Sequence, residues 1–195
     1  MRLVTACAVV VGLVAAGCGG SSPTSPSATG GSLRVMLTDS PFSDAKSLLV
    51  TFSEVSVHRS DQPDNDTGWT TLPFANNATS RTCDLKKLQS AQDILGTGSL
   101  ATGHYTQIRL TVSSATLFFE NAAGGNACDG TIAAPAGRNA AIEIPSGVVK
   151  LNREFDVSAS GATTMVLDFN GDGSVHQTGN DRYMMSPVIT VVSVQ

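Results

Sequence analysis

"LATGHYTQIRL", residues 100–110, is the stretch that decides the fold. It places Leu, Gly and Tyr in the order LxxGxY at the mouth of an alternating apolar run. That is the pattern of a tyrosine corner, in which a phenol bonds back to upstream backbone and pins an arched connection between two sheets. Tyr105 is therefore expected to be structural, and His104 beside it a solvated side chain.

Working outward, the dominant period is two. "LRVMLT" (33–38) alternates, as does "LLVTFSEVSVH" (48–58), where Leu48, Val50 and Phe52 share one face before Val55 and Val57 take up the other register. Such a switch predicts a bulge near Ser53. "WTTL" (69–72), "YTQIRLTV" (105–112), "ATLFFE" (115–120), "AAIEI" (140–144), "VVKLNREFDV" (148–157), "TTMVLDF" (163–169) and "YMMSPVITVVSV" (183–194) follow, with Gly, Asn, Asp or Pro in nearly every gap. So many short strands predict an all-β, antiparallel Ig-like or Greek-key sandwich over residues 32–195. Pro187 has no N–H for a ladder and marks a bulge or edge segment in the last run. "DLKKLQSAQDIL" (84–95) lines up Leu85, Leu88 and Leu95 and predicts one short helix crossing between sheet edges.

The first residues set the compartment. "MRLVTACAVVVGLVAAGC" has one positive charge, Arg2, and then an uncharged apolar run from Leu3 to Ala16 that is too short for a membrane span. Ala15, Ala16 and Gly17 before Cys18 resemble the lipobox of bacterial lipoproteins, so residues 1–17 read as a signal peptide cut ahead of an acylated cysteine. Two or more acyl chains on that sulfur give stable membrane attachment, where one gives only marginal binding. Gly19 follows, rather than the Asp of an inner-membrane retention signal, which favours the outer membrane in a host that has one. Residues 18–31 form a Gly/Ser/Pro tether with nothing apolar to bury, and such a chain spans about 20 Å root-mean-square.

Two cysteines remain after that cut, Cys83 and Cys128. Outside the cytoplasm such a pair predicts a disulfide, since CxxC spacing and neighbouring His partners are both missing. The alternative is two unpaired thiols in separate loops. Charged residues make up only 14% of the chain and the net charge is −4. With no Lys/Arg cluster, nucleic acid is excluded as a partner.

"GSLRVMLTDSP", "LLVTFSEVSVH", "GHYTQIRLTV", "IEIPSG", "MVLDFNGDGSV" and "YMMSPVITVV", taken together and in order, are similar to a bacterial lipoprotein family known only as domain of unknown function 4382. The likeness runs from about Gly31 to Val194. It implies an exported, usually lipid-anchored β-sandwich and carries no activity with it. Asn170 stands where the family's LDFD-like stretch has a carboxylate.

The chemistry with the clearest spacing lies in "LDFNGDGSVHQTGN" (167–180). Asp168, Asn170 and Asp172, with Gly173 at the bend and the carbonyl of Ser174, match the first half of a calcium loop. The twelfth position is Gly179 instead of Glu, so Asp181 or another loop would have to complete the shell. The competing reading is a plain turn, with "NGDG" joining two strands. Asp39 in "LTDSP" either caps local backbone or shares a loop-end site. Ser146 in "IPSG" lacks the GxSxG frame of a nucleophile, and His58, His104 and His176 are scattered. Trp69 is the one plausible carbohydrate-stacking platform, or else a cover for the end of the sandwich.

These readings converge on a noncatalytic lipoprotein held to membrane lipid through Cys18, whose loops bind an unknown protein or carbohydrate ligand at the cell envelope, with calcium as the one candidate cofactor. Two alternatives remain open: an assembly partner acting by strand addition, and a hydrolase with a site built from loops.

Overall fold

The computed structural model describes residues 30–40 and 45–195. The leader, Cys18, most of the tether and Pro41 lie outside the described residues. The chain runs through β1 (Gly30–Ser40), β2 (Ser47–Arg59), β3 (Trp69–Thr71), β4 (Arg81–Asp84), the single-turn helix α1 (Leu85–Leu88), β5 (Asp93–Ala101) and β6 (Gly103–Phe118). There follow β7 (Cys128–Asp129), β8 (Asn139–Glu143), β9 (Val148–Val157), β10 (Ala162–Asn170), the single-turn α2 (Gly171–Ser174), β11 (Val175–Gly179), β12 (Arg182–Met185) and β13 (Ile189–Val194).

Among the described residues these strands form two sheets. The smaller has the order β13-β10-β1-β5, and the larger runs β11-β12-β8-β6-β2-β4-β7, with β3 added to β2 and β9 to β6. The all-β sandwich expected from the alternation is what the chain forms. Its pairing is not purely antiparallel, because β1 lies parallel to β10 and β12 parallel to β8.

The core sits between the sheets. Leu33, Val35 and Leu37 from β1, with Met165, Leu167 and Phe169 from β10, face Val50, Phe52, Val55, Ile108 and Leu110 from β2 and β6. The rings of Phe52 and Phe169 meet edge to face across the gap at 6.3 Å. In the β2–β6 ladder the register skips Ser53, a bulge that turns Val55 and Val57 inward after Phe52.

Tyr105 is 2% exposed, and its hydroxyl donates to the Ala101 carbonyl at 2.9 Å. Its ring stacks on Phe155 at 5.2 Å. Gly103, two residues earlier, has φ +149°, a conformation that L side chains rarely adopt. Replacing Tyr105 with Phe keeps the stack and removes only the bond. The expected loss is about 1 kcal/mol, or roughly 3 °C in Tm by thermal unfolding, and an unchanged Tm would rule out a pinning role for the hydroxyl.

The helix expected over 84–95 is cut to one turn, Leu85–Leu88, with the Asp84 carboxylate accepting from Lys86 N at 3.3 Å. The rest becomes β5, because tertiary pairing overrides a weak helical period: Asp93 and Ile94 pair with Leu37 and Met36. Gly96 and Gly98 suit this strand, where a Cβ at Gly98 would stand 2.9 Å from Pro73 Cδ. The final apolar run is likewise two strands in different sheets, β12 and β13, broken around Pro187.

Candidate functional site

The parallel β1–β10 pair brings two candidate motifs side by side: Thr38 lies opposite Asp168, Asp39 opposite Phe169, and Ser40 opposite Asn170. Residues in a strand alternate between faces, so Asp39 follows Leu33, Val35 and Leu37 into the core while Asp168 lies on the outer face. Asp39 is 3% exposed; its Oδ1 accepts from Gly171 N at 3.2 Å, and among the described residues its Oδ2 has no hydrogen-bond partner. Burial drives its pKa from 3.8 up to about 7, with the nearby Asp168 adding to the rise and Gly171 N–H, Lys86 and Gln89 opposing it.

"NGDG" does not return as a hairpin. It winds the single turn α2, which carries the chain from one sheet to the other. Asn170 Oδ1 caps that turn by accepting from Gly173 N at 2.7 Å. The Ser174 hydroxyl donates to Asn170 O at 2.5 Å and accepts from Val188 N at 2.8 Å, which ties α2 to the segment before β13. Asp172 is exposed and Asp168 half-buried. Of the calcium-loop donors, Asn170 Oδ1 and the Ser174 carbonyl, which accepts from Ser186 N at 2.9 Å, are therefore already engaged with backbone, and an ion there would have to break the cap. Among the described residues no three His, Cys, Asp or Glu side chains gather where they could hold a metal.

The remaining candidates are dispersed. His58 Nε2 lies 3.0 Å from Pro63 O, His104 Nδ1 lies 2.9 Å from Asp156 Oδ1, and His176 is exposed on β11. Ser146 lies in an exposed turn. Trp69 neither caps the sandwich nor stands as a bare platform. It pairs with His58 on the outer face of the larger sheet, with Arg109 Cζ 4.5 Å and Lys150 Nζ 5.5 Å from its ring. Arg109 is held in turn by Glu54 at 2.7 Å and by Ser56 at 3.1 Å. The indole is thus part of a cation–π cluster spanning β3, β2, β6 and β9.

Cys83 and Cys128 form the expected disulfide, joining β4 to β7. The polar groups around it were not visible to sequence reasoning. Asp84 is fully buried, accepting from Ser47 Oγ at 2.8 Å and Leu48 N at 3.1 Å. Arg81 Nη2 meets Asp93 Oδ1 at 3.1 Å, and Asp93 Oδ2 accepts from Cys128 N at 3.0 Å.

A cleft of about 430 Å³ opens between β8 and β12, lined by Asn139–Glu143 on one side and Asp181–Tyr183 on the other. The two parallel strands pair only at Ile142–Tyr183 and Glu143–Met184. Their divergence has a local cause: Asn180 and Asp181 have φ of 51° and 54°, so the chain curls back into β11 instead of continuing beside β8. The "GND" at 179–181 was the one sequence signal for this turn. Nothing in the sequence placed it next to β8.

β5 is bridged by Phe74 at Gly96, and β13 runs against β9.

No curated protein and no solved structure matches the chain. The family described as "Domain of unknown function (DUF4382)" matches residues 30–187, from the start of β1 to the segment before β13. The chain belongs to that family.

Proposed function

We propose that the protein is an exported, lipid-anchored, noncatalytic binding module of the cell envelope, held through acylated Cys18 and displaying the far end of a rigid sandwich to a ligand. The observation that carries this reading is the course of β1. It starts at Gly30, twelve residues after Cys18, beside Ala101 and Ser160, and runs eleven residues to Ser40. At 3.3 Å per residue that is roughly 35 Å. A tether entering at Gly30 therefore leaves α2, the start of β2 and the end of β6 at the pole away from the lipid, where loops on a rigid scaffold carry recognition.

The disulfide suits an oxidising compartment. Among the described residues no helix is long and apolar enough to cross a membrane, so attachment in this reading falls to the lipid. The outer membrane is the proposed address in a host with two membranes.

The test is fractionation of cells expressing the full chain. Cys18→Ala is expected to reduce the membrane-bound share at least tenfold and to leave the leader uncut by intact mass. Unchanged membrane partition would overturn the reading.

A further inference from the structure

We infer that the outer face of the larger sheet, around Trp69, binds an uncharged oligosaccharide. This adds a contact surface to the module proposed above, separate from its far-pole loops. Val55, Val57, Ile108 and Leu110 face the core, so their neighbours along β2 and β6 face out. Across β3, β2, β6 and β9 the register aligns these outward positions in two rows. One is Trp69, His58, Gln107 and Asn152; the next is Thr71, Ser56, Arg109 and Lys150. With strands about 4.8 Å apart, each row is about 14 Å long.

The indole lies along this face. From β3 it reaches across β2 to Arg109 Cζ of β6 at 4.5 Å and Lys150 Nζ of β9 at 5.5 Å, which a ring standing upright on its own strand would not meet. Glu54 and Ser56 fix the guanidinium, so the ring is a supported surface, half-buried and not hidden. Sugar rings offer C–H faces that stack on aromatic planes, and hydroxyls that pair with planar amides.

The same row supplies the amides. Gln107 Nε2 donates to Asn152 Oδ1 at 2.9 Å, which leaves Gln107 Oε1 and Asn152 Nδ2 without a further partner among the described residues. An acceptor and a donor therefore stand side by side, as neighbouring hydroxyls require. They line a groove of about 460 Å³ together with Thr106, Arg153 and Glu154, a size suited to a small ligand. Charge narrows the class. Arg109, Lys150 and Arg153 are matched by Glu54, Asp66 and Glu154, so this face favours neither an acidic nor a basic partner.

Trp69 is the chain's one tryptophan, so its fluorescence reads this face directly. The experiment titrates the full chain, purified in detergent, with neutral gluco-, galacto-, manno- and xylo-oligosaccharides to millimolar concentration, and with acidic oligogalacturonate in parallel. At least one of the neutral series is expected to shift the emission saturably. By calorimetry, Trp69→Ala is expected to weaken that binding at least tenfold, and Asn152→Ala, at an exposed position, about fivefold with Tm unchanged. The second variant keeps the test informative if loss of the indole disturbs the cation–π cluster.

Failure of every neutral oligosaccharide to move the emission, or binding that survives both substitutions, would overturn the inference. So would binding confined to oligogalacturonate, since Lys150 would then be recruiting charge. These readouts are independent of membrane partition, so their failure leaves the anchoring proposal standing and its failure leaves them standing.

Discussion

Loss of the Cys83–Cys128 bridge is expected to lower the unfolding free energy by about 4 kcal/mol, and Tm by roughly 12 °C, in Cys83→Ser/Cys128→Ser or in the reduced protein. The sequence separation is 45 residues, and the estimate follows from the entropy that a loop of that length regains in the unfolded chain once the crosslink is gone. The native structure gives the bridge further weight. β7 is two residues long and pairs with Thr82 and Cys83, so the ladder that holds the segment after β6 against the sheet is short. Behind it lie the pair of buried Arg81 with half-buried Asp93 and the Asp84 carboxylate, which also holds Ser47 and, through Ser47 Oγ, the amide of Ala123 at 2.7 Å. Displacing β7 removes the Cys128 N–H from Asp93, and a half-buried carboxylate that loses a donor is left with less compensation for its charge. Thermal unfolding with and without reductant measures the effect, and a loss below about 1 kcal/mol would mean that strand pairing and the polar network hold this end unaided.

What the sequence made legible was whatever depends on neighbours along the chain. Alternation in 33–38, 48–58 and 105–112 marks strands, the shift between Phe52 and Val55 marks a bulge, and the cysteine count marks a crosslink. What it hid depends on partners far apart. The parallel register of β1 on β10 joins residues about 130 positions apart, and only that register explains why Asp39 meets the amide of Gly171. Local helical spacing in 84–95 lost to the pairing of β5 with β1 for the same reason. The acidic spacing at 168–172 fits a calcium loop, yet Asn170 and Ser174 use their side chains to cap and brace a helical turn, an alternative that Asn and Ser offer at any such bend. The β8–β12 cleft was least legible of all: it is an interval between two strands that pair briefly and then part.

Raising the pH from 5 to 8 is expected to destabilise the wild-type protein, while Asp39→Asn should be nearly insensitive over that range and more stable than wild type at pH 8. The cause is burial: Asp39 lies near the end of a strand whose inward row includes Leu33, Val35 and Leu37, and the amide of Gly171 meets one of its oxygens. The folded-state pKa of about 7 lies above the ordinary value of 3.8, so the folded protein holds a proton that the unfolded chain has already released. That contribution is fully present below about pH 4, declines as pH rises, and is gone above about pH 7. The whole shift corresponds to roughly 4 kcal/mol, and the part of it that falls between pH 5 and pH 8 to about 2 to 3 kcal/mol. Asparagine has the shape of the protonated acid and can keep an acceptor toward Gly171, which is why it should remove the pH dependence without opening the core. Glu54 and Asp61 have depressed pKa values and so titrate below the measured window. Denaturant unfolding at pH 5 and pH 8 for both proteins decides the matter: a flat wild-type profile, or an Asn variant weaker than wild type at pH 8, would show that Asp39 is charged in the folded state and that Gly171 N–H, Lys86 and Gln89 outweigh its burial.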